Sequence, residues 1–139
     1  MEIIMVKIGR LFIFCLSLIM LLGGDALIAQ EGLLDGMVFI GQYRVKHTRS
    51  AKEDELSFMN GEFNSVYYSQ KGFRNAAYTA TAEGGEIHFT TETESLKKGK
   101  IKWRGIVDGD SIEVNYHLSK MGWLSNTETD YLFQGTLKK

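Results

Sequence analysis

From Met37 to the C-terminus, apolar and polar residues alternate along the chain with a period of two. The clearest stretch runs from Ile101 to Val107, where Lys102 and Arg104 separate apolar or small residues, and a second runs from Ile112 to Leu118. Successive side chains of a strand point to opposite faces, whereas a helix spaces its apolar residues three or four positions apart. The alternation therefore predicts a series of half-buried β-strands.

Short turns separate these alternating stretches and join them in pairs. They lie at Met59-Asn60-Gly61, Glu83-Gly84-Gly85 and Asp108-Gly109-Asp110. Asn-Gly and Asp-Gly pairs suit tight hairpin turns because these residues tolerate positive φ. Three hairpins follow, and the strand after the first turn is expected to run from Phe63 through Ser65 to Tyr67.

The predicted fold class is all-β, a single up-and-down antiparallel barrel of about eight strands. An opening strand near Val38–Lys46 and a closing strand near Tyr131–Leu137 complete the count. Closure hides the apolar face and pairs both edge strands, while a sandwich would need longer crossings between its sheets. The longer gaps, such as Lys120–Glu128, alternate with the tight turns. This order predicts tight turns at one end of the barrel and longer loops at the other.

Residues 1–29 have the three parts of a secretory signal peptide. Lys7 and Arg10 form a positive start, and the apolar run Leu11–Leu22 is shorter than the roughly 20 residues that a spanning helix needs. Small residues then supply a cleavage site. We therefore expect a signal peptide at 1–29 and an exported barrel domain at 30–139, periplasmic or secreted. An uncleaved anchor and a lipoprotein are the less favoured alternatives.

The charge of the chain limits its expected partners. It carries 16 basic and 17 acidic side chains, a formal net charge of −1, and lacks the basic excess that holds polyanions. We expect no nucleic-acid partner and membrane contact only through the signal segment. The single Cys, Cys15, lies in that segment, so no disulfide framework is expected. The charged runs Lys52–Glu55 and Lys97–Lys100 are interpreted as solvated loop patches.

Aromatic and glycine residues recur at predicted strand and turn positions. Eight meandering strands on a short exported chain resemble the calycin type of small barrel, which includes lipocalins, fatty-acid-binding proteins and avidins. The stretch that contains Gly61-Glu62-Phe63, Gly72-Phe73, Glu94-Ser95, Gly99, Trp103-Arg104-Gly105 and Phe133-Gln134-Gly135 is also similar to a family of uncharacterised exported bacterial proteins. Both resemblances imply a fold rather than an activity, since the Gly-x-Trp start of a typical lipocalin and the biotin ligands of avidins have no counterpart.

The usual catalytic and metal-binding patterns are weak in this chain. His88 and His117 fall on the polar faces of their strands, and no third ligand has a recognisable metal-site spacing. The carboxylate pair Glu92 and Glu94 lies among Thr and Lys residues, where hydrated side chains are the ordinary case. No catalytic residue, metal or cofactor is expected. An enzyme using Tyr78 or Tyr116 would need neighbours that shift the tyrosine pKa.

About one aromatic ring per strand faces the expected interior. These rings either fill the core or line a lumen suited to a flat apolar or amphipathic ligand. Trp123, beside Met121 and Leu124 in a long loop, is a candidate contact residue at the open end, as a lid, a partner site or a cap on the mouth. The candidate ligand-binding residues are Tyr67, Tyr78, Phe89, Trp103, Tyr116, Trp123 and Phe133.

The sequence therefore predicts an exported, non-enzymatic β-barrel that binds a small apolar ligand, or a protein partner, at its open end. The alternative is a structural or interaction module with a filled core and no ligand. The two differ in whether the inward rings leave room for a bound molecule.

Overall fold

Eight antiparallel strands follow one another around a closed barrel in the computed structural model, which describes residues 32–139. Each strand pairs with its neighbours in sequence, and the last pairs with the first to close the barrel. The predicted fold class, an all-β up-and-down barrel, is confirmed. The strands are β1 (Val38–Val45), β2 (Lys52–Met59), β3 (Glu62–Ser65), β4 (Ala76–Glu83), β5 (Glu86–Ser95), β6 (Gly99–Asp108), β7 (Ser111–Met121) and β8 (Asn126–Leu137).

The signal peptide expected at residues 1–29 lies outside the described residues. The expected barrel domain, 30–139, is described from residue 32 onward. Among these residues, no helix has both the length and the apolar character needed to cross a bilayer.

A single helical turn, α1 (Val66–Ser69), follows β3 directly. The expectation that this strand continues to Tyr67 was wrong, because β3 ends at Ser65. The Ser65 hydroxyl accepts a hydrogen bond from the Tyr68 amide at 3.2 Å and caps the turn. Asp54 Oδ1, on β2, accepts another from the Tyr67 amide at 2.9 Å. These side-chain bonds to backbone amides offer the chain an alternative to the strand ladder.

Tight turns and longer loops lie at opposite ends of the barrel, as the sequence predicted. We call these the turn end and the loop end. The loop between β7 and β8 is shorter than expected, since the two strands extend to Met121 and Asn126. The turn end holds residues 60–61, 84–85 and 109–110, and the loop end holds residues 46–51, 66–75, 96–98 and 122–125.

The segment before β1, residues 32–37, seals the turn end. Leu34 is fully buried in the core, and its amide donates a hydrogen bond to the Tyr78 hydroxyl at 3.0 Å. That hydroxyl donates in turn to Asp35 Oδ1 at 2.7 Å, and the Asp35 carboxylate also accepts from the Gly61 amide at 3.0 Å. The segment is thereby tied to β4 and to the turn between β2 and β3.

Aromatic rings fill the interior of the barrel above this seal. Phe58 lies 4.9 Å from Phe89 and 5.4 Å from Phe63, measured between ring centroids. Trp103 lies 4.8 Å from Phe63, and its Nε1 donates to Thr93 Oγ1 at 2.9 Å. Because these side chains are almost completely buried and touch one another, they occupy the interior at this level.

A pair of glycines lets β1 and β8 approach closely where the barrel closes. Gly41 and Gly135 are directly opposite each other across this seam. A Cβ added at Gly41 would overlap the backbone oxygen of Gln134 and lie 2.5 Å from the Gly135 Cα. Backbone atoms cannot rotate away as a flexible side chain can, so the added methyl group must push the two strands apart.

We expect Gly41→Ala to lower the free energy of unfolding by about 2–3 kcal/mol, measured by urea denaturation with circular dichroism. Gly109→Asn in the turn between β6 and β7 is the control. Its φ is +58°, which Asn tolerates, and none of the described atoms lies within 4 Å of an added Cβ. It should cost about 1 kcal/mol or less. Equal losses in the two variants would contradict a steric cause at the seam.

Candidate ligand-binding site

A cavity of about 390 Å³ opens at the loop end of the barrel. We call it the mouth pocket. Aromatic rings form its floor and cationic side chains its walls, and none of the described acidic residues lines it. The floor tyrosines are Tyr43, Tyr67, Tyr68 and Tyr131, and the wall cations are Arg44, Lys52, Lys71, Lys98 and Lys120.

The helical turn α1 positions two of the four floor tyrosines. Tyr67 packs 4.8 Å from Tyr43 on β1, and Tyr68 packs 6.2 Å from the same ring. The Tyr68 hydroxyl donates to the Tyr116 hydroxyl at 3.3 Å, which anchors the floor to the core below. The caps from Ser65 and Asp54 that create α1 therefore also set the shape of the pocket.

The Tyr43 hydroxyl is the buried polar group of this site that lacks a hydrogen-bond partner within the described residues. Tyr43 is only 5% exposed, and within residues 32–139 its hydroxyl makes no hydrogen bond. Buried polar groups nearly always have a partner, and leaving one without costs about 1–3 kcal/mol. Because Tyr43 lines the mouth pocket, a molecule bound there is placed to accept this hydrogen bond.

The neighbouring tyrosine differs from Tyr43 in its acidity. Burial raises the pKa of Tyr43, whereas the pKa of Tyr67 is lowered. The main cause at Tyr67 is a hydrogen bond that Tyr43 can donate to the ionised oxygen, although the neutral hydroxyls do not meet hydrogen-bond geometry. The Lys71 ammonium adds to this effect, and it lies 4.9 Å from the centroid of the Tyr67 ring. Negative charge is therefore favoured at the Tyr67 oxygen, while burial raises the pKa of the other floor tyrosines and keeps them protonated donors.

The wall cations are not neutralised by carboxylates of the part of the chain that the structure describes. None of the five forms an ion pair with a carboxylate of residues 32–139. The nearby carboxylate of Asp54 is buried outside the pocket, and it accepts from the Ser65 hydroxyl at 2.6 Å as well as from the Tyr67 amide. The charge on the walls is therefore available to an anionic ligand.

A comparison of the chain with protein-family models, curated proteins and solved structures gives no match. The closed eight-stranded barrel is compatible with the calycin type. The resemblance to that type therefore stands on architecture alone, and the site has to be interpreted from its own residues.

The structure separates the seven predicted ligand-binding residues. Tyr67 lines the mouth pocket, and Tyr116 lies directly beneath it. Tyr78 is at the turn end, where its hydroxyl binds the sealing segment. Trp123 is 97% exposed at the tip of the β7–β8 hairpin, so it does not cap the mouth. The other three form the buried core, namely Phe89, Trp103 and Phe133.

The sequence interpretation missed most of the pocket. Tyr43, Tyr68 and Tyr131 were not named as ligand-binding residues, and Lys52 was assigned to a loop although it begins β2. A signal was present in the predicted topology, which placed four long connections at one end. Lysines near those connections would then have marked a basic mouth.

The outer surface offers a weaker site. A larger depression of about 720 Å³ lies outside the barrel, lined by charged residues of both signs. His117 Nδ1 lies 2.7 Å from Asp130 Oδ1, so these two groups already satisfy each other. His88 Nε2 is likewise 3.1 Å from Glu86 Oε2. Across residues 32–139, no group of three or more His, Cys, Asp or Glu is placed to hold a metal ion.

Proposed function

We propose that this protein is an exported, non-enzymatic β-barrel whose mouth pocket binds a small amphipathic anion. One observation carries the proposal: the buried Tyr43 hydroxyl has no hydrogen-bond partner within the described residues, and Tyr43 lines the same pocket as five cations that form no ion pair with a carboxylate of those residues. Export is supported by the composition of residues 1–29, which has the parts of a signal peptide.

The size and lining of the pocket support the class of ligand. Ligand pockets commonly enclose about 300–1,000 Å³, and 390 Å³ suits a molecule with one or two rings or a short acyl chain. The tyrosine rings offer flat apolar faces for its body. Ammonium and guanidinium groups on the walls suit a carboxylate, sulfonate or phosphate. This proposal changes the expected ligand from apolar to amphipathic.

The acidity of the buried tyrosines supports a binding role over catalysis. Burial raises the pKa of Tyr68 and of Tyr116, so both remain protonated hydrogen-bond donors near neutral pH. A general base needs a pKa near the working pH instead. The second candidate function is a structural module without a ligand, and the filled core favours it. The two candidates differ only in whether the mouth pocket binds a ligand.

Calorimetric titration with 2-naphthalenesulfonate tests the proposal, with uncharged 2-naphthalenemethanol as the matched probe. We expect the sulfonate to bind at least tenfold more tightly than the alcohol. Tyr43→Phe should weaken sulfonate binding about tenfold, since a hydrogen bond to a charged group contributes about 1.5–3 kcal/mol. The same variant should fold with unchanged or higher stability, because it removes an unpaired buried hydroxyl.

Lysine variants locate the site. Lys71→Gln removes a wall cation, and Lys102→Gln removes a cation from the outer face of β6, away from the pocket. Only Lys71→Gln should weaken binding of the sulfonate. If neither probe binds, or if both variants weaken binding equally, the mouth pocket is not an anion site and the structural module is the better interpretation.

A further inference from the structure

The two ends of the barrel differ in charge although the chain as a whole is nearly neutral. The chain carries 16 basic and 17 acidic side chains. The charged residues within the four loops of the loop end are all basic, and the adjoining strand ends add Lys52, Lys100 and Lys120 but also Glu53, Glu94, Glu128 and Asp130. Basic residues therefore remain in excess at this end, while acidic residues flank the tight turns at the opposite end. The loop cations are Lys46, Arg49, Lys71, Arg74, Lys97 and Lys98.

One hairpin projects beyond the rest of the loop end. The pairing of β7 with β8 continues to Met121 and Asn126. On the other side of β8, the pairing with β1 stops where Val45 meets Tyr131. On the other side of β7, however, the pairing with β6 continues to Ser119. Only the two pairs nearest the tip, Lys120 with Thr127 and Met121 with Asn126, therefore form a free two-stranded ribbon, about 7 Å long at 3.4 Å per residue.

The tip of this hairpin is apolar and fully accessible. Trp123 is 97% exposed and Leu124 is 88% exposed. Leu96, in the loop between β5 and β6 at the same end, is 95% exposed. Met121, beside the tip, is 87% exposed, so the four most exposed large apolar side chains of residues 32–139 all lie at the loop end, three of them on one hairpin.

We propose that the loop end docks onto an anionic phospholipid bilayer, with Trp123 and Leu124 entering the headgroup region. Trp has an apolar body and a polar N–H, which suits the membrane–water interface. Each Lys or Arg near an anionic surface strengthens attraction about fivefold. The loop cations and the projecting apolar tip together have the composition of an interfacial membrane contact.

Other occupants fit this end less well. A second copy of the chain would bring the same basic loops against each other, which is unfavourable. The apolar residues occupy separate loop tips rather than a continuous face, so they suit a fluid interface better than a packed protein surface. A nucleic acid would contact the loop cations but not the apolar side chains of Leu96 and Leu124. Contact between the loop end and a bilayer goes beyond the membrane contact expected from the sequence, which was through the signal segment only.

The apolar tip is separate from the mouth pocket, although Lys71 and Lys98 belong both to the loop cations and to the pocket walls. Trp123 and Leu124 do not line that pocket, and the tip can enter a bilayer whether or not a ligand is bound. Gly32 lies at the turn end, so attachment through the preceding residues alone would leave Trp123 away from the bilayer. The position of this one side chain therefore distinguishes docking from N-terminal attachment.

The experiment measures tryptophan quenching by brominated lipids with the full-length protein. Trp123 and Trp103 are the two tryptophans of the chain, and Trp103 is buried in the core. Vesicles of equal phosphatidylglycerol and phosphatidylcholine are compared with vesicles of phosphatidylcholine alone. We expect a blue shift and quenching of Trp123 emission, with at least tenfold tighter binding to the anionic vesicles. Trp123→Phe should abolish the quenching, because Trp103 stays out of reach of the lipid.

Paired charge variants serve as a matched control. Arg49→Gln with Lys97→Gln, two loop cations outside the mouth pocket, should weaken vesicle docking at least tenfold, whereas Lys138→Gln with Lys139→Gln, at the turn end, should leave it unchanged. Absent quenching, equal quenching in both vesicles, or equal loss in the two double variants would overturn the proposal. A blue shift without lipid, induced by a single-stranded oligonucleotide or by raising the protein concentration, would overturn it in favour of nucleic acid or self-association.

Discussion

Raising the pH above about 10 should unfold the barrel in one transition during which its buried tyrosines ionise together. The chain has six tyrosines, all within the described residues. Burial is the main cause that raises the pKa of five of them, all except Tyr67, and the pKa of Tyr78 reaches about 12. The four almost fully buried tyrosines are Tyr43, Tyr68, Tyr78 and Tyr116.

The sign of the pH effect follows from proton binding in the two states. In the unfolded chain tyrosines lose their protons near pH 10, while the buried ones keep theirs in the folded barrel. The folded state then binds more protons, so its stability falls as the pH rises from about 10 toward the folded pKa values. Four such groups together lower the free energy of unfolding by about 5 kcal/mol per pH unit. The total free energy of unfolding of a domain is about 5–15 kcal/mol. Below about pH 9 both states are protonated, and these groups have no effect.

Tyrosinate absorbance and circular dichroism, recorded on the same samples, measure this transition. Tyr67, whose pKa is lowered, should ionise before the others and without loss of the β-sheet signal. The variant Tyr78→Phe should make the transition less steep, because one raised pKa is removed. Stepwise ionisation of the remaining tyrosines with an unchanged β-sheet signal would contradict their burial in a packed core.

Trp103→Ala should lower the free energy of unfolding by about 3–5 kcal/mol. Trp103 is 2% exposed, and its ring lies 4.2 Å from that of Tyr116 and 4.8 Å from that of Phe63. Its removal leaves a cavity that the surrounding rings cannot fill without leaving their rotamers. It also leaves the Thr93 hydroxyl without its 2.9 Å donor. The loss is a large fraction of the stability of a domain of this size.

Urea denaturation followed by circular dichroism measures this loss. Ile106→Ala, on the opposite face of the same strand and 39% exposed, is the matched control and should cost about 1 kcal/mol or less. A similarly small loss for Trp103→Ala would mean that the ring lines an open lumen. That result would support the alternative that the sequence left open, in which the interior of the barrel holds a ligand.

The strand order was predictable because the barrel depends on short-range patterns. The alternation of β6 and β7 and the Asp108-Gly109-Asp110 turn define a hairpin without knowledge of distant residues. The helical turn α1 was not predictable from periodicity. It depends on bonds from Ser65 and Asp54 to backbone amides, and Asp54 comes from a neighbouring strand.

The binding site was harder to predict than the fold because it combines distant segments. Rings on the inward face were recognised correctly, but alternation gives a residue's face and not its height in the barrel. Tyr67 lies at the mouth, whereas Tyr78 lies at the opposite end. The wall cations come from five parts of the chain, as Arg44 and Lys120 illustrate. The net charge of the chain did not indicate these wall cations, because it adds the basic residues of one end of the barrel to the acidic residues of the other.

Both termini of the described chain leave the barrel at the turn end, which residues 32–37 seal. The Leu137 amide donates to the Asp110 carbonyl at 2.7 Å, and the Lys138 amide donates to the Val38 carbonyl at 2.7 Å, which holds the C-terminus beside the start of β1. A fluorescent label, an affinity tag or a sensor-chip linker attached to Lys139 would therefore leave the tyrosine-floored opening directed toward the surrounding solution.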